Sequence, residues 1–192
     1  MSVSFDFDGR VALVTGAAGV LGSAVAAAFD SAGATVVGTD LREPADESTH
    51  LDPGTVEFHA ADFTDEAAVE RVVSTVVEEH GRLDYLLTIA GTWRGGTPIH
   101  ETDLDTVELL FAVNLETMFL ASKHALPHLR DAGGSIVSVS SKTALEGGSG
   151  DGPYRATKAG VRLLTETIAE ENAGTVRANA VMPSIIDTPA NR

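Results

Sequence analysis

The sequence predicts an α/β fold: a doubly wound parallel sheet of six strands, order 3-2-1-4-5-6, flanked by helices on both faces. Three observations predict it. Short β-branched runs alternate with longer stretches of helical periodicity along the 192 residues. The first run ends in a glycine-rich turn that opens directly into a helix. A carboxylate, Asp40, follows the second run, 18 residues after the last glycine of that turn.

Residues 11–15 form the first strand, an unbroken run suited to burial on both faces. Thr15-Gly16-Ala17-Ala18-Gly19-Val20-Leu21-Gly22 turns the chain into a helix over 20–32, which Gly33 ends as a C-terminal cap. Residues 35–39 and 55–60 are the second and third strands. Thr64 is placed to cap the next helix, where Val69, Val72, Val73, Val76 and Val77 recur at the spacing of one buried face. The fourth strand covers 83–88. A long helical pattern covers 104–129, with Pro127 expected to kink or end it. Its stripe of Phe111, Leu115, Met118 and Phe119 reads mostly as core. Gly133-Gly134 introduces the fifth strand, 135–140. Pro153 suits the first turn of a helix running to Asn172, and 176–181 is the sixth strand. No repeat, low-complexity tract or linker divides the chain, so 1–192 reads as one domain.

Composition narrows the function. Hydrophobic residues make up 43% and charged residues 21%, ordinary for a globular protein. No apolar run approaches the roughly 20 residues of a membrane helix, and the first residues carry no signal-peptide pattern. A cytoplasmic protein without a membrane partner is expected. The absence of cysteine excludes disulfide and thiolate chemistry. Asp and Glu number 28 against 13 Lys and Arg, a net charge of −15. Such a field repels nucleic-acid phosphates, so no nucleic-acid partner is expected. The acidity reads either as adaptation to high salt, which screens self-repulsion, or as plain acidity.

Glycines in the first turn let backbone approach a pyrophosphate, whose charge is favoured by the open N–H groups and dipole of a helix start. A bare tight turn looks similar, so the turn alone does not decide. A carboxylate placed as Asp40 is accepts hydrogen bonds from an adenosine ribose and repels a 2′-phosphate, which favours NAD over NADP. Arg42 softens that preference, and a solvated turn residue is the plainer reading of Asp40. Tyr154 and Lys158 lie four apart on a predicted helix, hence on one face. A phenol with a pKa of about 10 is too weak an acid for efficient proton transfer near neutrality. A neighbouring ammonium lowers that value. Tyr154 would then exchange a proton with a hydroxyl or carbonyl while hydride moves to or from a nicotinamide. His124 and His128 share a metal-ligand spacing but show no third ligand, so a surface pair is preferred and no metal is expected.

Thr15-Gly16 through Gly22 after the first strand, Ala90-Gly91 after the fourth, Asn114 in the long helix, Ser141 after the fifth, and Tyr154-x-x-x-Lys158 occur together in one order. That set resembles the short-chain dehydrogenase/reductase family, in its shorter single-domain subtype, from Gly9 to Thr188. The resemblance implies a Rossmann-like fold and an NAD(P)-dependent oxidoreductase acting on a small-molecule secondary alcohol or ketone. It also implies a homodimer or homotetramer with the long helix at a subunit interface. By resemblance, Ser141, 13 residues before Tyr154, would hydrogen-bond the substrate oxygen, with Ser140 the competing candidate. Lys158 would also hold the nicotinamide ribose, and Asn114 would position a water linking Lys158 to solvent. Thr15, Gly16, Gly19, Val20, Leu21 and Gly22 would hold the pyrophosphate. Asp62 would contact adenine, with Phe63 beside it. Ala90, Gly91 and Pro183 join the cofactor-binding set, and Ile186 and Thr188 would face the carboxamide. Plainer readings stay open: a bend-capping residue for Asn114, a turn residue for Asp62, a surface loop for 183–188.

The pattern is broken in places. Val20 stands where the family often has glycine, and Ser184 replaces another glycine. Thr88 and Ile89 stand where asparagines usually precede Ala-Gly and brace the central strand. The glycine spelling of the first turn also fits larger, extended members, which include sugar-nucleotide epimerases and dehydratases. Members of the shorter subtype continue past the position of Thr188 into a substrate-covering segment and a seventh strand. The resemblance therefore implies a chain incomplete at its C-terminal end. Three functions are weighed: an active NAD-linked dehydrogenase, a non-catalytic NAD-binding module, and an extended-type epimerase or dehydratase. The intact Ser141, Tyr154 and Lys158 favour the first. The substrate is not legible. Trp93 and Arg94 are expected at the mouth of the site, with simple packing the other reading for Trp93, and Ser138, Lys142, Thr143 and Glu146 offer polar groups without a decisive pattern.

Overall fold

Period-two alternation in the apolar strands decides which helix covers which face of the sheet. In the computed structural model, which describes residues 5–44, 49–52, 54 and 56–188, Val11 and Leu13 face one way and Ala12 and Val14 the other. The strands are β1 (Val11–Thr15), β2 (Thr35–Asp40), β3 (Glu57–Ala60), β4 (Tyr85–Thr88), β5 (Ser135–Val139) and β6 (Arg177–Val181). All pair in parallel, in the order β3-β2-β1-β4-β5-β6, as expected. The helices are α1 (Val20–Ser31), α2 (Glu66–His80), α3 (Leu104–Phe111), α4 (Thr117–Ala132) and α5 (Gly152–Glu171). On one face, Val69, Val73 and Val76 of α2, Ala125 and Leu129 of α4 and Ile168 of α5 cluster with Leu13, Leu86 and Ile136. On the other, Ala26 of α1 packs with Ala12, Val14, Val36 and Leu87. Chain order reverses between β1 and β4, and a crevice opens there beyond the carboxyl ends of the strands. No helix among the described residues is long and apolar enough to cross a membrane.

Several local expectations are corrected. The third strand begins at Glu57; Thr55 lies outside the described residues, so its placement stays untested. The fourth begins at Tyr85. The cap of α2 is Asp65, whose carboxylate accepts from the Ala67 N–H at 3.0 Å. Thr64 instead donates its N–H and hydroxyl to Asp62 Oδ1, at 2.9 and 2.7 Å. Pro127 does not end the long helix: α4 runs through it to Ala132 and is capped by left-handed Gly133. The irregularity lies upstream, where residues 112–116 form a π-helical turn around buried Asn114. Of the four-residue apolar stripe only Met118 is core; Phe111 and Phe119 are exposed.

The opposite end of the central strands, at their amino termini, is pinned by a buried carboxylate. Asp84 accepts from Arg10 Nη1 at 2.8 Å, from Arg82 Nε at 2.7 Å and Nη2 at 2.6 Å, and from the Val11 N–H at 3.0 Å. Burial works to raise its pKa, but the Arg82, Val11 and Arg10 hydrogen bonds outweigh it and hold the carboxyl below its usual range. Asp84→Ala strands two guanidiniums and a strand N–H. We expect it to destabilise the fold by about 3 kcal/mol, the low end for a broken buried pair because both arginines are half exposed. The stabilisation is full above the unfolded carboxyl value of about 3.9 and is lost as pH falls through the lower folded value. Urea unfolding at pH 7 and at pH 3 checks both, with the gap between wild type and variant shrinking in acid.

Candidate active site

Packing of the first turn explains why its glycines are required. Gly16 has φ +66°, and a Cβ there would lie 2.8 Å from Ala90 Cα; a Cβ on Gly22 would lie 2.0 Å from the Gly16 carbonyl oxygen. Thr15 Oγ1 accepts from the N–H groups of Ile89 and Ala90, at 3.1 and 3.2 Å. Thr15-Gly16 and Ala90-Gly91 are therefore two sides of one backbone contact. α1 is preceded by Gly19 at its N-cap position, with no side-chain cap and no acidic residue in its first turn. Its leading N–H groups are left to the crevice, an arrangement that suits an anion. This backbone cradle, which a side chain would fill, fits the pyrophosphate of a dinucleotide.

The crevice is a cleft of about 780 Å³. Thr15, Gly16, Gly19, Val20, Leu21, Gly22, Asp40, Asp62, Phe63, Ala90 and Gly91 line it, as do Ser141, Tyr154, Lys158, Pro183 and Ile186. Asn114 and Thr188, also expected at the site, do not line it. Asp40 closes the β2 end, with Arg42 folded back onto it through N–H and Nε contacts of 3.3 and 3.5 Å to Oδ1.

At the other end, α5 presents Tyr154 and Lys158, and the chain after β5 presents Ser141. The two serines separate cleanly. Ser140 is buried, and its hydroxyl donates to the Lys158 carbonyl at 2.7 Å. Ser141 Oγ accepts from the Thr143 N–H at 3.2 Å and the Thr143 hydroxyl at 2.8 Å. With both lone pairs occupied, Ser141 can only donate its own proton, and it hydrogen-bonds the Tyr154 phenol.

The expected lowering of the Tyr154 pKa is corrected. Burial raises it, the Ser141 hydrogen bond lowers it and the Asp151 charge raises it, and the sum lies above the ordinary tyrosine value. Lys158 Nζ donates instead to the Val139 carbonyl at 2.9 Å. Lys158 is 5% exposed, and burial without a carboxylate partner pushes its pKa down to about 8. A position four residues away specifies the helix face but not where a long side chain ends.

Asn114 braces the site from behind. Its Oδ1 accepts from the Thr92 N–H at 2.7 Å, and its Nδ2 donates to the Thr92 carbonyl at 2.9 Å and Thr157 Oγ1 at 3.3 Å. A Cβ on Gly91 would lie 3.0 Å from Asn114 Oδ1 and 3.2 Å from Lys158 Nζ. Glycine at 91 is what lets these groups meet. Of the polar residues left open for the substrate, Thr143 lines the cleft, whereas Lys142 and Glu146 are exposed outside it and Ser138 is fully buried. His124 lies 3.1 Å from Glu66 Oε1, beside Lys123. The sequence reading missed Asp151, Thr92, Thr157 and the Val139 carbonyl. Only Asp151 had a legible signal, an acidic residue at the start of the Tyr154 helix.

Fold and cleft together define a protein of the nucleotide-binding α/β class, and comparison with known proteins makes it an oxidoreductase of a particular family. A model of the short chain dehydrogenases matches residues 10–192. The chain belongs to that family, whose members use nicotinamide cofactors, NAD or NADP. It is 37% identical over 190 residues to a 3-oxoacyl-[acyl-carrier-protein] reductase of Thermotoga maritima, covering 95% of this chain and 76% of that protein. It is 36% identical over 185 residues to a meso-2,3-butanediol dehydrogenase of Serratia marcescens, covering 95% and 73%. Among solved structures, ligand-free aldohexose dehydrogenase of Thermoplasma acidophilum superposes with a TM-score of 0.86 at 28% identity, covering 95% of this chain and 69% of that one.

Proposed function

We propose that the protein is an NAD-dependent dehydrogenase/reductase acting on a secondary alcohol or ketone, with Tyr154 as general acid–base. The observation that carries this reading is the meeting of Ser141, Tyr154 and Lys158 at one end of a cleft that begins at the uncapped start of α1 and Asp40. Bound nicotinamide supplies the hydride acceptor for oxidation and the donor for reduction. Ser141, its lone pairs occupied by Thr143, donates to the substrate oxygen and holds it beside the phenol. Tyr154 takes the hydroxyl proton in oxidation and returns it in reduction. Lys158 holds the nicotinamide ribose, while Asn114 keeps the 91–92 backbone open beside its ammonium. Asp40 accepts from the adenosine ribose and disfavours a 2′-phosphate.

The reading includes a homodimer or homotetramer, for which exposed Phe111 and Phe119 offer apolar surface; a light-scattering mass of a single chain would count against it. The deciding experiment measures calorimetric binding and alcohol-dependent reduction of each cofactor. NAD is expected to bind at least tenfold tighter than NADP, and Asp40→Ala to narrow that ratio. Tighter binding of NADP overturns the role given to Asp40, and absence of turnover with either cofactor overturns the enzymatic reading.

A further inference from the structure

The cleft continues beyond Tyr154 into a corner that the proton transfer does not use. Trp93 lines it yet stays 57% exposed. Asp151 lines it from the start of α5, three residues before Tyr154, so the two share one helix face. A Cβ on Gly95 would lie 2.7 Å from Trp93 Cζ2 and 3.2 Å from Asp151 Cβ, which places the indole edge and the carboxylate side by side across a glycine. The two loops are fastened together there: the N–H groups of Gly96 and Thr97 donate to the Gly150 carbonyl at 2.7 and 3.2 Å.

Asp151 is held but not saturated. Its Oδ1 accepts from Arg155 Nε at 2.5 Å, and the same guanidinium donates to the Glu146 and Gly147 carbonyls at 3.1 and 3.4 Å. Its Oδ2 takes no hydrogen bond from any described residue. Apart from Lys158, and Arg42 at the Asp40 end, no cationic side chain among the described residues lines the cleft. An anionic substrate would meet the Asp151 carboxylate with no cation on the cleft wall to receive it, because Arg155 is turned to Asp151 and the 146–147 carbonyls from outside the cleft, and a purely aliphatic one would desolvate Oδ2 without giving it a donor. An aromatic face beside an acceptor suits a molecule with a C–H face and more than one hydroxyl.

We infer that this corner is a hydroxyl subsite: the substrate is a neutral polyol or sugar whose second hydroxyl donates to Asp151 Oδ2 while Trp93 covers its C–H face. The inference rests on the NAD-linked alcohol reading above and adds the substrate class. It assigns selectivity to Asp151 and Trp93, through an acceptor that punishes analogues lacking the donor.

The test is a matched four-carbon series with NAD: 2-butanol, 2,3-butanediol, erythritol and the anion 3-hydroxybutyrate. The diol and erythritol are expected to exceed 2-butanol in kcat/KM by at least tenfold, with 3-hydroxybutyrate below it. Asp151→Asn, which keeps an oxygen for Arg155 but turns Oδ2 into a donor, is expected to reduce the diol-to-butanol ratio at least tenfold. Trp93 is the single tryptophan of the chain, so its fluorescence reports occupancy in the unmodified protein without turnover. A saturable change is expected with erythritol and none with 2-butanol at equal concentration. Equal kcat/KM for butanol and diol, an unchanged ratio in Asp151→Asn, or an emission indifferent to erythritol overturns the subsite and leaves the NAD-linked reading standing. No NAD-linked turnover of any alcohol overturns both.

Discussion

Tyr154→Phe is expected to lower NAD-linked alcohol turnover by about 10²–10⁴-fold, roughly 3–5 kcal/mol of transition-state stabilisation. The substitution removes one oxygen from a side chain that lines the cleft. The fold should tolerate it, because that oxygen's hydrogen-bond partner, Ser141, stays anchored by Thr143. Unchanged thermal unfolding with collapsed kcat is therefore the expected pair of results. The pH profile carries a second signature. A phenol that burial holds above its ordinary value is a poor base at neutral pH. Oxidation, which needs phenolate, should fall as pH drops, and reduction, which needs phenol, should fall as pH rises. Both limbs should vanish in the phenylalanine variant. Wild-type turnover in Tyr154→Phe would mean that another group moves the proton.

What the sequence made legible divides along physical lines. The sheet order and its helical cover rest on alternation of two and of about 3.6 residues, and residues such as Leu13, Leu86, Val69 and Val73 display these periods directly. The turn at Gly16–Gly22 is legible because backbone collisions at 2.0 and 2.8 Å admit no side chain, so the constraint is written as residue identity. Less was legible wherever a residue's neighbour is far along the chain. A stripe at Phe111, Leu115, Met118 and Phe119 marks an apolar face but not what covers it, and two of the four proved exposed. Thr64 and Asp65 are both good caps, and only the geometry of the turn selects Asp65. The π-helical turn holds one more residue per turn than the pattern around it assumes, which a helical period does not register. At Thr88, where the sequence departs from the family pattern, the buried hydroxyl finds no hydrogen-bond partner among the described residues.

Lys158 joins the two lines of argument, because its position is costly for the fold and, in the proposed reading, useful to the chemistry. Burial without a counter-ion moves its pKa from 10.5 to about 8, equivalent to about 3 kcal/mol at 1.36 kcal/mol per unit. The hydrogen bond to the Val139 carbonyl returns about 1 kcal/mol of this. Lys158→Met replaces the ammonium with an apolar chain of similar length. It should therefore stabilise the protein by about 1–2 kcal/mol at pH 7, raising Tm by about 3–6 °C, while lowering turnover by at least about 10²-fold. The sign of the pH dependence follows from proton counts. Between about pH 8 and 10.5 the unfolded lysine holds a proton that the folded one has lost, so wild-type stability gains with rising pH across that window. The variant has no such group, and its advantage should narrow over the same window. Calorimetric melts of both proteins at pH 7 and pH 10 read this directly. A variant less stable than wild type at pH 7 would show that the ammonium is not a burden, and would remove the reason for reading its burial as functional.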